Sequence, residues 1–184
     1  MSPPDSPLSS NDIQRQLTYL QAVVSSMPQG ISVFDEQLRL RVWNQGLLDV
    51  LELPNHAVYE GVPFADLIRI PATRGEYGPG SVEEHVQRIT NLAHQFQPHC
   101  FERTRPNGKT HLVQGEPLTL GGHIVGFITT YTDITERKAI EMQLRKQHDQ
   151  LQTVLESIPS AVSLFNRDAL LELSNSEFGR LLEL

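Results

Sequence analysis

The sequence predicts an α+β fold, an antiparallel sheet with helices on one face, and it predicts the opening of that fold twice. Two short strand-like runs, GISVFD (Gly30 to Asp35) and LRLRVW (Leu38 to Trp43), precede a helical stretch, and three further strand-like runs follow it as a meander. The stretches Leu20 to Leu53 and Leu151 to Leu184 align without a gap at an offset of 131 residues, with 12 identities in 34 positions. Unrelated segments would share roughly two or three. The chain therefore reads as one complete domain and the opening third of another, a piece of a longer protein.

The bulk properties narrow the function classes. Of 184 residues, 39% are hydrophobic and 20% charged, ordinary for a soluble globular protein. A net charge of −7 argues against nucleic acid or an anionic membrane as partner. The single cysteine, Cys100, leaves no intrachain disulfide and points to the cytoplasm. The opening MSPPDSPLSS lacks the basic and apolar parts of a signal peptide, and no apolar run is long enough for a membrane span in this piece.

Along the chain, residues 1–10, rich in Pro and Ser, are expected to be a disordered lead-in. Residues 11–28 read as an amphipathic helix capped by Asn11 or Ser10. Its seam is Ile13, Leu17, Leu20, Val24 and Met27, and Pro28 ends it. The first two strands form a hairpin across Glu36-Gln37, with Leu38, Leu40 and Val42 on one face and Arg39, Arg41 and Trp43 on the other. Asn44 is placed to cap GLLDVLEL, and short helical segments are expected near Tyr59 to Ile70. RGEYGPG (Arg74 to Gly80) is loop. SVEEHVQRITNLAHQF is an amphipathic helix capped by Ser81, with Glu84 completing a capping box. HCFERTR and THLVQGEPL flank the hairpin turn Pro106-Asn107-Gly108-Lys109, and Gly121-Gly122 turns the chain into HIVGFITTYTDI. Residues 136–158 then form a long helix whose Ile140, Leu144, Gln147, Leu151, Val154 and Ile158 follow spacings of 4, 3, 4, 3 and 4. So narrow a seam suits a coiled coil with a second copy; the alternative is a helix packed back on its own sheet.

The closing TYTDITERK (Thr130 to Lys138), the opening MPQGISVFD, RVWN and the RGEYGPG loop, in this order, resemble the PAS family of sensory domains. The resemblance implies a PAS domain over residues 29–135, with a five-stranded antiparallel sheet and a pocket for a small-molecule ligand. It also implies a homodimer joined through the flanking helices, and output through the helix after Asp133-Ile134-Thr135. Residues 159–184 resemble the start of a second, truncated PAS domain. The whole is similar to the regulatory region of a bacterial sensor histidine kinase or diguanylate cyclase, acting in two-component or cyclic-di-GMP signalling through an output domain in the same chain. Independently of the family, Asp133 with Glu136 three residues on, and Thr135 beside them, are the residue types that cap a helix start and form a polar joint.

No cofactor is expected as the first reading, with haem or flavin as the alternative. On the family pattern His85, on the helix before the meander, is the candidate haem ligand, and Trp43 is the candidate to stack on a flavin ring. The light-sensing subgroup needs a cysteine where this chain has YEGVPFADLI, and Cys100 reads instead as a small buried hydrophobe. His94, His99 and Cys100 lack a fourth ligand at zinc spacing. His148-Asp149 is the one faint phosphoacceptor pattern, and the heptad turns it to solvent. The segment is therefore expected not to be an enzyme.

Overall fold

The structure, a computed structural model, describes residues 9–182, so most of the expected lead-in (1–10) lies outside the described residues. The chain divides into two compact units, one up to Thr135 and one from Glu136.

Helix α1 (Ser10–Ser26) is capped by Ser9, one residue earlier than expected, because Asp12 sits at the position that closes a capping box with it. Strands β1 (Gly30–Asp35) and β2 (Leu40–Trp43) follow, then α2 (Gln45–Leu51), α3 (Phe64–Thr73) and α4 (Val82–Ala93). The meander is β3 (His99–Thr104), β4 (Thr110–Leu120) and β5 (His123–Asp133). All pairings are antiparallel, and the order β2-β1-β5-β4-β3 puts β5 in the centre. The core lies between the sheet and α2, α3 and their connections, where Phe34, Leu40, Leu47, Val62, Leu67, Val113 and Tyr131 form one cluster.

The expected turns and caps are present. Ser81 and Glu84 form the capping box of α4. Gly108 turns the β3–β4 hairpin with positive φ, and Gly121 and Gly122, at φ 58° and 83°, turn β4 into β5. The first hairpin differs from expectation. Its connection runs from Glu36 to Arg39, with Asp35 Oδ1 accepting from the Gln37 and Arg39 amides and Leu38 at φ 54°. A bulge between Val33 and Phe34 then shifts the register. Leu40 stays buried opposite Phe34, but Val42 points outward and Trp43 turns inward opposite Ser32, so the simple alternation fails there.

Asn44 does more than cap α2. Its Oδ1 accepts from the Ile31 and Leu47 amides, and its Nδ2 donates to the carbonyls of Val24, Met27 and Gln29. One buried side chain thus satisfies the free end of α1 and the start of α2 together.

The second unit holds α5 (Thr135–Glu156), the hairpin β6 (Ser163–Phe165) and β7 (Leu171–Ser174), and α6 (Ser176–Leu181). The asparagine clamp, the turn and the bulge of the first hairpin recur 131 positions on. Asn175 accepts from Val162 and Phe178 and donates to Leu155, Ile158 and Ser160. Asn166 takes the role of Asp35, Ala169 that of Leu38 at φ 58°, and the bulge reappears at Leu164/Phe165. Among the described residues no helix is long and apolar enough to cross a membrane.

Candidate functional site

The helix-covered face of the sheet does not pack solid. A cavity of about 480 Å³ lies between it and α2, α3 and α4. Cross-strand rows build its floor: Phe101, Val113 and Tyr131 in one, His99, Gly115, Thr129 and Ser32 in the next. Gly115 is needed here. A Cβ would stand 2.5 Å from the Phe127 ring and closer still to that of His99, which stack with centroids 5.3 Å apart.

The RGEYGPG loop supplies the far wall and is fastened at three points. Arg74 donates to the Leu51 and Glu52 carbonyls at the end of α2. Glu76 pairs with Arg105 at 2.8 Å, both side chains only 2% exposed, and Arg105 also reaches Glu52. Lys109 joins the network, and chiefly its hydrogen bond holds the Glu52 carboxyl below the usual range. His85 Nε2 lies 3.2 Å from the Gly78 carbonyl, and Gly80 leaves room for its ring. Between these anchors Tyr77 is directed into the cavity.

The polar groups there are unusual. Arg103 lays its guanidinium 5.0 Å from the Tyr77 ring centre. Arg103 Nε, the Tyr77 hydroxyl and Ser32 Oγ are buried without a hydrogen-bond partner among the described residues. Burial pushes the Tyr77 phenol up to about 12 despite the nearby Arg103 charge, and burial raises Tyr131 as well. The charged lining residues are Arg88 and Arg103; no Asp or Glu lines the cavity among the described residues.

One cross-strand row further along, Arg103 on β3 stands opposite His111 on β4, which stands opposite Asp133 on β5. His111 is fully buried, with neither ring nitrogen bonded among the described residues. Burial lowers its pKa, Arg105 and Arg103 add to that, and Asp133 opposes it. Sequence reasoning missed this histidine, although in THLVQG it shares the inward register of Val113.

The predicted joint is a bonded cluster. Asp133 Oδ1 accepts from both the amide and the hydroxyl of Thr135, and Thr135 Oγ1 accepts from the Thr110 amide. The Ile134 amide donates to the Thr110 carbonyl, and its side chain is buried. Burial alone would raise the Asp133 carboxyl, but the Thr135 bonds and nearby His111 and Lys109 hold it below its ordinary value. Glu136, expected to complete a capping box, takes no part in this cluster.

The remaining candidates fall elsewhere. His85 is buried, not on polar surface, but its Nδ1 accepts from Arg88, its Nε2–H is directed at Gly78, and it does not line the cavity. It therefore does not offer an axial ligand to a haem held there. Trp43 packs against the core cluster outside the cavity and does not fit the flavin-stacking role. Cys100 is exposed on β3, contrary to the expected burial, because its register is that of Gln114 on the open face. Among the described residues no three His, Cys, Asp or Glu side chains converge on a metal position. His148 and Asp149 are exposed on α5. The seam residues Ile140, Leu144, Leu151 and Val154, and Leu17 and Leu20 on α1, are exposed large apolar side chains. Gln147 is also exposed, while Val24 and Ile158 are half-buried.

The profile of the PAS fold matches residues 24–142, more than half of the chain. The chain belongs to the PAS family. This PAS chain is 28% identical over 139 residues to the virulence sensor protein BvgS of Bordetella pertussis; the match takes in 73% of this chain and only 10% of that protein. The solved PAS domain of Bordetella pertussis BvgS is 25% identical and superposes with a TM-score of 0.47, covering 76% of this chain and 98% of the other. The PAS domain of an HTR-like protein from Haloarcula marismortui gives 18% identity and a TM-score of 0.42, covering 67% and 96%.

Proposed function

We propose that this PAS chain is a non-catalytic sensory module that binds a small molecule in its cavity and relays the event through α5 to an output domain in the same polypeptide. One observation carries the reading: β5 both floors the cavity, through Phe127, Thr129 and Tyr131, and ends in the Asp133–Thr135 joint from which α5 begins. A ligand that shifts β5 by a fraction of an ångström alters a cluster fastened to β4 at Thr110. Such a joint between a strand and a helix has two packing arrangements to choose between.

The module works as a homodimer. The exposed heptad seam of α5, with Gln147 as its one polar position, and the apolar seam of α1 are the surfaces a second copy would cover. Residues 159–184 are the opening of a second PAS domain, supported by the recurrence of the asparagine clamp, turn and bulge, so α5 is a linker between tandem sensory units. The output is of the histidine kinase or diguanylate cyclase kind, as the sensor name of the Bordetella relative supports, and the site of action is the cytoplasm.

Native mass spectrometry and an absorption spectrum of the purified protein, with light scattering on the same sample, test this. The expected result is a dimer without a haem or flavin band, carrying or accepting a small organic molecule. A monomeric mass, with neither retained nor added compounds bound, would sink it.

A further inference from the structure

The polar groups of the cavity say what kind of molecule it takes. We propose that the ligand is an organic monoanion, a compact apolar or aromatic body bearing one carboxylate, with the carboxylate bound at Arg103. The proposal deepens the reading of the cavity as a ligand site and rests on it.

Four features converge. The charged groups of the lining are cationic, Arg88 exposed at the edge and Arg103 half-buried, with no lining carboxylate among the described residues to neutralise them. A guanidinium in apolar surroundings is costly unless an anion meets it, and its planar edge matches a carboxylate. The Arg103 guanidinium lies over the Tyr77 ring, and its Nε is buried without a hydrogen-bond partner among the described residues. The Tyr77 hydroxyl, beside Arg103 but without a well-aligned hydrogen bond among the described residues, adds a second donor on the same side of the cavity. Finally, Glu76 is adjacent in sequence to Tyr77, yet Arg105 holds it in a buried pair, so the acid nearest in the chain is already engaged.

The rest of the cavity suits a hydrophobic body. Leu47, Leu67, Ile89, Val113 and Phe127 surround it. Ser32 Oγ, in a residue 1% exposed and without a well-aligned hydrogen bond among the described residues, is one more polar atom facing the same space, beside Thr129 and the Tyr131 phenol. A phosphate or dicarboxylate would bring more charge than one inner arginine offsets in such walls. A neutral lipid would leave Arg103 unpaired.

The test pairs acids with amides of the same shape. Phenylacetate, indole-3-acetate and octanoate are added to the whole chain against phenylacetamide, indole-3-acetamide and octanamide, reading the melting temperature and then titration calorimetry. At least one acid is expected to raise the melting temperature, with its amide binding about tenfold or more weakly, the scale of a hydrogen bond to a charged group. Arg103→Gln should remove the discrimination between acid and amide. Tyr77→Phe, which keeps the stacked ring, should weaken the acid about threefold to tenfold, and it serves if Arg103→Gln fails to fold. Equal shifts by acids and amides, or no shift by any acid, overturn the anion assignment. The cavity reading fails separately: if Ile89→Trp, which fills the cavity from α4, leaves binding intact, the molecule sits elsewhere.

Discussion

Replacing Asn44 separates a helix cap from an interelement clamp. In Asn44→Ala the Ile31 and Leu47 amides, both in buried residues, lose their acceptor, and each orphaned donor costs about 1–3 kcal/mol. The carbonyls of Val24, Met27 and Gln29 are nearer solvent and find water, so each adds only a few tenths. The sum is about 3–7 kcal/mol, a large part of the roughly 5–15 kcal/mol that holds a domain folded. Asn44→Asp is the sharper experiment. Aspartate caps a helix as well as asparagine does, so a simple cap predicts almost no loss. The clamp predicts a loss of about 2–4 kcal/mol, because three donated bonds vanish and a carboxylate then faces three carbonyl oxygens. Urea unfolding followed by the fluorescence of Trp43, the single tryptophan, reads the first unit alone. An Asn44→Asp protein within about 0.5 kcal/mol of wild type would refute the clamp.

Three further outcomes are expected. The lowered pKa of His111 means that the unfolded chain binds its proton at higher pH than the folded one. Its contribution is therefore complete above the ordinary histidine range, near pH 6.5, and lost as pH falls towards the folded pKa. His111→Leu should be about as stable as wild type at pH 8 and should flatten the loss of melting temperature between about pH 6.5 and 5; parallel curves would show that Asp133, Glu76, Arg103 and Arg105 around it set the dependence instead. Arg105→Met leaves the buried Glu76 with only its longer 3.7 Å contact to Arg74 and should cost up to about 3–5 kcal/mol, whereas adding Glu76→Leu should restore part of the loss. A double variant no more stable than the single one, in thermal melts, would show that the Glu52 and Val50 contacts of Arg105 matter more. Gln147→Leu should tighten the dimer and weaken signal transmission, and sedimentation equilibrium showing an unchanged dissociation constant would count against the α5 seam.

Which parts were legible beforehand follows from how far apart the partners lie. The capping box of α4, the Asn-Gly and Gly-Gly turns and the Asn44 cap were readable because each depends on residues within three or four positions. The joint was half readable. Asp133 and Thr135 declared themselves as capping types, but their anchor at Thr110 lies 25 residues away. The hairpin alternation was misread because the bulge at Val33/Phe34 answers to cross-strand packing, which no period of two encodes. His85 is drawn to haem by family pattern and Trp43 to flavin by its aromatic ring; the structure engages His85 with Gly78 and Arg88 and packs Trp43 on the core.

By itself, then, the sequence determined the order of elements, the caps of α2 and α4, the turns of the meander and the repetition of the opening hairpin, all consequences of near-neighbour backbone chemistry, and its motifs carried the resemblance to the PAS family. The tertiary structure decided the site. Arg103, Tyr77 and Ser32 come from a meander strand, a loop and the first strand, and only the pairing of β1, β5, β4 and β3 brings them around one cavity. The reason is physical: a cap is satisfied by the next turn of the chain, whereas an arginine Nε buried without a partner among the described residues arises only once the strands have paired and closed the water out around it.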